Sequence, residues 1–198
     1  MNMTTLGVIM VCLAGGLTLV EWMVALITRM RRRVALRSKC SAREYTPSCA
    51  VIIPTKGENG DLEKNLRAHL QMDYPEFQLI LAVESAGDAG VPIIKKLSKE
   101  DNRVKWVVAD LATTCSQQNH NMIAGVEAAG AVELLAFADN DFAPPKDWLR
   151  DLVQPLSSSH VTVSSGYRWV VAPPSSGIGS CVHVAINMMM YAHFSTMN

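Results

Sequence analysis

Leu134-Leu135-Ala136-Phe137-Ala138-Asp139-Asn140-Asp141 is the stretch that decides the fold. Five apolar residues run straight into two carboxylates separated by one residue. A short apolar run of this kind predicts a strand buried on both faces of a sheet. The acids then fall at its C-terminal end, where open α/β sheets place their ligands. Two aspartates this close repel each other unless a cation lies between or beside them. Their hard oxygens suit Mg²⁺ or Mn²⁺, ions that usually bridge to substrate phosphates. The pattern reads as a metal–diphosphate site; its plainer use is a solvated Asp-Asn-Asp turn.

Upstream of that strand the chain alternates. Residues 49–53 are a β-rich run that Pro54 is expected to stop, followed by the polar loop Thr55-Lys56-Gly57-Glu58-Asn59-Gly60. Asp61 is a candidate N-cap, with Leu62, Leu66, His69 and Leu70 behind it at helical spacing. Residues 77–83 predict a second strand ahead of Glu84-Ser85-Ala86-Gly87-Asp88, 91–99 a short helix and 104–108 a third strand. Residues 119–130 predict a helix closed by Gly130. Strands alternating with helices in this way mean βαβ units and a mostly parallel sheet. Right-handed crossovers bring the C-terminal ends of such strands to one edge. Pro54, Lys56 and Gly57, then Glu84 and Asp88, then Asp139 and Asp141 should therefore converge on one crevice. No G-x-G-x-x-G follows the first strand and no G-x-x-x-x-G-K-[ST] occurs, which disfavours a dinucleotide Rossmann domain and a P-loop.

The length of 198 residues suits about one domain. A net charge of zero and a single basic cluster exclude a polyelectrolyte character, so nucleic acid is not an expected partner. Cys12, Cys40, Cys49, Cys115 and Cys181 are odd in number, scattered and without a C-x-x-C pair. That argues against a disulfide framework or a zinc site and fits a reducing compartment. Residues 5–28 carry one charge, Glu21, and a stretch of that length spans a bilayer core. It lacks the basic start of a signal peptide. Arg29, Arg31, Arg32, Arg33, Arg37 and Lys39 follow it, which places the rest of the chain on the cytoplasmic side. Residues 1–30 are thus expected to be a transmembrane anchor, 31–47 a basic juxtamembrane linker and 48–198 the globular domain. Glu21 in such a helix either snorkels or pairs with a second membrane segment.

One family joins these motifs. Strand–Pro54-Thr55-Lys56-Gly57 is followed by Asn65-Leu66, Asp73-Tyr74-Pro75, strand–Glu84-x-x-x-Asp88, Lys95-Lys96-Leu97, Asn121 and Ala138-Asp139-Asn140-Asp141. This order resembles the membrane-bound family 2 and family 21 inverting glycosyltransferases over about residues 1–170, in particular ceramide glucosyltransferases and their bacterial relatives. The resemblance implies an α/β protein of the GT-A (Rossmann-like nucleotide-diphospho-sugar transferase) fold with an N-terminal transmembrane helix. It implies that Pro54 and Lys56 line the nucleotide pocket and that Glu84 and Asp88 stand by the uracil and ribose. Asn121 would support the diphosphate or sugar, Asp139 would hold donor and metal, and Asp141 the metal, as Mg²⁺ or Mn²⁺. Gln118 stands where family members often carry a lysine. Each residue also has a plainer use: Lys56 as a solvated loop charge, Glu84 and Asp88 as helix caps, Asn121 as an ordinary exposed helix residue.

The implied activity is that of a hexosyltransferase. It moves a hexose, glucose or a similar one, from a UDP-sugar to a lipid acceptor such as ceramide, with inversion. Related transferases act on hopanoid or polyprenyl lipids or on polysaccharide. A catalytically inactive, membrane-tethered nucleotide-binding protein is the rival from another class.

Beyond Asp141 the acids are Asp147, a candidate N-cap, and Asp151; none occurs from residue 152 to 198. The family's general base and its Q/R-x-x-R-W motif lie further on than either, and Gly166-Tyr167-Arg168-Trp169 is not that motif. The resemblance therefore implies a C-terminally incomplete enzyme that binds donor weakly and transfers little. Residues 161–164 predict a strand. Residues 181–194 are apolar, Met-rich and uncharged. They are expected to be an interfacial helix or the lip of a lipid groove, where flexible Met side chains suit a lipid, or else a buried core helix.

Overall fold

The computed structural model describes residues 15–16, 18–27, 30, 45–58 and 60–196. The chain divides into two compact units, residues 44–165 and residues 166–198 with 1–43.

The first unit is an α/β sandwich. β1 (Cys49–Thr55), β2 (Phe77–Val83), β3 (Val104–Val108) and β4 (Leu134–Phe137) form one sheet in the order β3-β2-β1-β4. Every pairing is parallel, in the register Val51↔Leu79, Leu81↔Trp106 and Ile52↔Phe137. Between the strands lie α1 (Leu62–Leu70), α2 (Val91–Glu100) and α3 (Gln117–Ala129), and α4 (Trp148–Val153) follows β4. The predicted βαβ alternation is therefore present.

Alternation of side chains along the strands splits the core in two. Cys49, Val51, Ile53, Leu79, Leu81, Val83 and Ala136 face α1, α2 and α4, where Leu62, Leu66, Ile94, Leu97 and Leu149 are fully buried. Ala50, Ile52 and Ile80 face α3. There the helix comes so close that a Cβ on Gly125 would stand 2.5 Å from Ile52 Cγ2. Only a residue without a side chain permits that approach.

Several expected boundaries move. β1 runs through Pro54 to Thr55 instead of stopping at residue 53. The Ile52 carbonyl accepts from Ala138 N, so Pro54, two residues on, turns its missing N–H toward the same side. β1–β4 pairing ends at Ile52, so the proline costs no ladder bond. β4 is not buried on both faces. It is an edge strand, with Ala136 buried but Leu135 and Phe137 44% and 48% exposed. α3 starts two residues early, because Ser116 Oγ accepts from Asn119 N at 3.2 Å and caps it. Asp61 and Asp147 precede α1 and α4 without a side-chain cap bond. No strand forms over 161–164, where Val163 is 81% exposed and no neighbouring strand pairs with it.

In the second unit residues 18–27 are helical and α5 (Ile178–Thr196) is a 19-residue helix. Residues 1–14, 17, 28 and 29 of the expected anchor lie outside the described residues, as does most of the linker. Among the described residues no helix is long and apolar enough to cross a membrane. α5 is not a buried core helix: Val182, Ile186, Met188, Met189 and Met190 are at least half exposed. Tyr167, Trp169 and Tyr191 pack as a three-ring cluster with centroids 4.6–5.4 Å apart, and Tyr167 Oη donates to the Asn187 carbonyl.

Candidate functional site

The sheet order decides where a ligand can lie. β1 leads to β2 and β3 on one side, and the chain then crosses back to place β4 on the other side of β1. The C-terminal ends of β1 and β4 flank this reversal, and an open α/β sheet has its crevice at that point. Thr55, Lys56 and Gly57 leave β1 there, and Ala138 to Asp141 leave β4. The expected convergence of polar loops is thus present in the backbone.

Lys56 Nζ is exposed and reaches Glu84 Oε2, after β2, at 3.4 Å. An exposed pair of this kind stabilises little, about 0–1 kcal/mol, so the ammonium group can be redirected to a phosphate at small cost. Asp88 has a structural task. Its Oδ1 and Oδ2 accept from Gly57 N at 3.0 and 2.9 Å, and Oδ1 also accepts from Gly90 N at 2.8 Å. One carboxylate therefore ties the loop after β1 to the N-terminus of α2. The contact requires Gly90, where a Cβ would stand 2.9 Å from the Gly57 carbonyl oxygen. Pro54 closes the end of β1 and is half-buried.

Asn121 is not the ordinary exposed helix residue. It is 3% exposed; its Nδ2 donates to the Ala82 carbonyl at 3.2 Å, and its Oδ1 accepts from Gln117 Nε2 at 2.8 Å. Gln117 in turn donates to the Asp110 carbonyl and accepts from Ala112 N, each at 2.8 Å. This network fastens α3 and the loop after β3 to the end of β2. Its members are engaged with protein atoms, so any effect of Asn121 on a diphosphate would be indirect.

Asp139 and Asp141 are both exposed, on the loop directly after β4. No group of three or more His, Cys, Asp or Glu side chains able to hold a metal occurs among the described residues. The chemistry of the donor set still fits Mg²⁺ or Mn²⁺. These ions commonly take one or two carboxylates and complete their shell with water and substrate phosphates. A cleft of about 340 Å³ lies elsewhere, between β3 and α3, lined by Val107, His120, Ile123 and Glu127. Its mostly apolar walls do not suit a diphosphate.

Glycosyl transferase family 21 matches residues 16–190, most of the chain. The chain belongs to that family. A curated relative, the GalNAc(5)-diNAcBac-PP-undecaprenol beta-1,3-glucosyltransferase of Campylobacter jejuni, is 24% identical over 117 residues, covering 59% of this chain and 37% of that protein. Among solved structures, the mannosyltransferase PcManGT from Pyrobaculum calidifontis in complex with GDP-Man and Mn²⁺ aligns with a TM-score of 0.50 at 19% identity. The alignment covers 76% of this chain and 45% of PcManGT. Staphylococcus aureus TarS 1-349 in complex with UDP-GlcNAc aligns at 0.44 and 19% identity, over 64% of this chain and 38% of TarS. The parallel sheet is thus that of GT-A glycosyltransferases, and this family 21 chain spans less than half the length of these relatives.

The family 21 motifs differ in what they do here. Asp73-Tyr74-Pro75 is a structural corner. Tyr74 Oη donates to the Pro47 carbonyl at 2.7 Å, Asp73 N donates to the Lys146 carbonyl at 2.7 Å, and Arg150 of α4 pairs with the Asp73 carboxylate at 3.3 Å. Burial pushes the Tyr74 hydroxyl well above its ordinary range. Two residues near the carboxylates, Asn65 of the motif order and His69 of the helical pattern, were given no site role by the sequence. Asn65 is buried on α1 and its Nδ2 donates to the Asn140 carbonyl at 3.1 Å. His69, one turn on, is fully buried. Their sequence signal is two polar side chains at i and i+4 on the apolar face set by Leu62 and Leu66.

Proposed function

We propose that this chain carries the donor-binding part of an inverting glycosyltransferase that moves a hexose, glucose or a similar sugar, from a UDP-sugar to a lipid acceptor. One observation carries the reading. A paired carboxylate after β4 and a redirectable ammonium after β1 flank the same topological switch point. Asp139 and Asp141 would hold Mg²⁺ or Mn²⁺, and the metal's chemistry there is to neutralise the departing diphosphate. Lys56 would add a point charge beside the phosphates. Glu84 and Asp88 lie in the loop after β2, which would border the nucleoside, and the Asp88 clamp keeps that loop shaped without ligand. Pro54 stiffens the same exit. PcManGT, solved with GDP-Man and Mn²⁺, supports a nucleotide-sugar donor and a divalent metal.

The second unit supports a lipid acceptor. Residues 1–43 with 166–198 contain eight Lys or Arg and one Asp or Glu, a formal +7; residues 44–165 contain ten and seventeen, a formal −7. The chain's neutrality therefore conceals a basic unit that also carries the uncovered, uncharged α5. An apolar helix in a unit of net positive charge suits an anionic membrane face. With the apolar residues 5–28 it supports a membrane location, the α/β unit being cytoplasmic. Within lipid acceptors, the name of the Campylobacter relative favours a polyprenyl diphosphate-linked glycan alongside ceramide.

Isothermal titration with UDP in Mn²⁺ is the test. The reading expects metal-dependent UDP binding that Asp141→Ala removes. Metal-independent binding, or none by the intact chain, would favour an inactive membrane-tethered scaffold.

A further inference from the structure

We propose that Asn65 and His69 of α1 are positioning residues for the Asp139–Asp141 loop. On this view the helix that follows β1 sets the geometry of the carboxylates that follow β4. The inference rests on the reading of Asp139 and Asp141 as metal ligands.

The two residues are four apart and so share one face of α1. Asn65 is 5% exposed and His69 0%. Asn65 Nδ2 donates to the Asn140 carbonyl, 75 residues away in sequence. That carbonyl belongs to the peptide joining Asn140 to Asp141. Fixing its direction fixes the plane from which Asp141 leaves the backbone, and constrains Asp139 on its other side.

His69 holds the far end of the same loop. Its ring meets Phe142 edge-on at 6.0 Å and 81°, and Trp148 at 6.2 Å and 78°. Phe142 and Trp148 meet each other at 5.6 Å and 63°. These are the edge-to-face distances at which aromatic rings attract. Phe142 directly follows Asp141, so the loop is held immediately before and immediately after that aspartate.

The ring orientation is itself fixed. The Asn65 carbonyl accepts from His69 Nδ1 at 2.9 Å. This puts the proton on Nδ1 and leaves Nε2 as an acceptor, which has no hydrogen-bond partner among the described residues. A buried polar atom left unpaired destabilises the fold. For packing alone an apolar pair at 65 and 69 would serve α1 better, beside Leu62 and Leu66. The polar pair does what an apolar one cannot: it reaches a backbone carbonyl in the carboxylate loop and aligns the ring that holds Phe142. Groups that orient metal ligands in this way typically change metal affinity by 10- to 100-fold when removed.

The experiment is a titration of the full chain with Mn²⁺ in the presence of UDP, with free Mn²⁺ read by electron paramagnetic resonance. The melting midpoint is measured beside it. Asn65→Leu keeps the volume and removes the donor. It is expected to raise the Mn²⁺ Kd roughly tenfold while the melting midpoint stays near wild type. Phe142→Leu, at the half-buried end of the same bracket, is expected to weaken Mn²⁺ several-fold and keeps the proposal testable should Asn65→Leu fail to fold. Wild-type Mn²⁺ affinity in a folded variant, with binding abolished in Asp141→Ala, would overturn the positioning role alone. Unchanged Mn²⁺ binding in Asp141→Ala would overturn the carboxylate site and the bracket with it.

Discussion

Burial holds the His69 imidazole below its ordinary range, against the opposing pull of its hydrogen bond to the Asn65 carbonyl. The folded state therefore binds the proton less readily than the unfolded chain, whose histidines titrate near about 6.5. At pH 7 both forms are neutral there and the full contribution is present. As pH falls through the unfolded value toward the folded one, the unfolded chain takes up a proton first and stability drops, by at most about 1.4 kcal/mol per pH unit for one site. Circular-dichroism melting between pH 7.5 and 5 is predicted to show a steeper loss for wild type than for His69→Phe; equal slopes would contradict it. At this scale Asp139 and Asp141 were legible, because the carboxylates follow an apolar run. Asn121 was visible as a residue, but its burial under Ala82 depends on α3 approaching β1 at Gly125, a three-dimensional fact. Asn65 and His69 were hidden for the same reason: their partners lie beyond residue 139.

At the scale of elements, the apolar runs named all four strands within two residues of their ends. β1 ran longer than its proline suggested because register, not composition, decides which N–H is needed. β4 was misjudged in burial for a related reason: an apolar run does not say whether a strand is central or at an edge, and Leu135 and Phe137 are uncovered. Residues 161–164 have strand composition but no neighbour, and composition alone does not make a ladder. α5 gives the prediction at this scale. A polarity-sensitive dye is placed at Met189→Cys, in a chain whose cysteines other than Cys49 are serine. Cys49 stays unlabelled because it is buried, with its thiol pushed up to about 12. The dye should shift to the blue and brighten on vesicles of phosphatidylcholine with phosphatidylglycerol, more than on phosphatidylcholine alone. Emission unaffected by either vesicle would remove α5 from the membrane surface.

For the whole molecule, the βαβ order was readable because each strand and helix carries its own period, and the right-handed crossover rule then brought three distant loops to one edge. The division into two units was not readable, since it depends on which segments pack together. Nor was the charge separation, +7 against −7, visible in a net charge of zero. Both follow once residues 166–198 are grouped with the N-terminal segment. The central claim is that the β1/β4 switch point, with Asp139 and Asp141, is the donor site. Amide NMR of the 21.6 kDa chain in UDP with substoichiometric Mn²⁺ tests it most directly, because paramagnetic broadening reports distance from the bound ion. The prediction is broadening centred on Asp139, Asn140 and Asp141 and extending to Lys56 and Gly57. Broadening centred instead on Val107, His120 and Ile123, or absent from the strand ends altogether, would contradict the account.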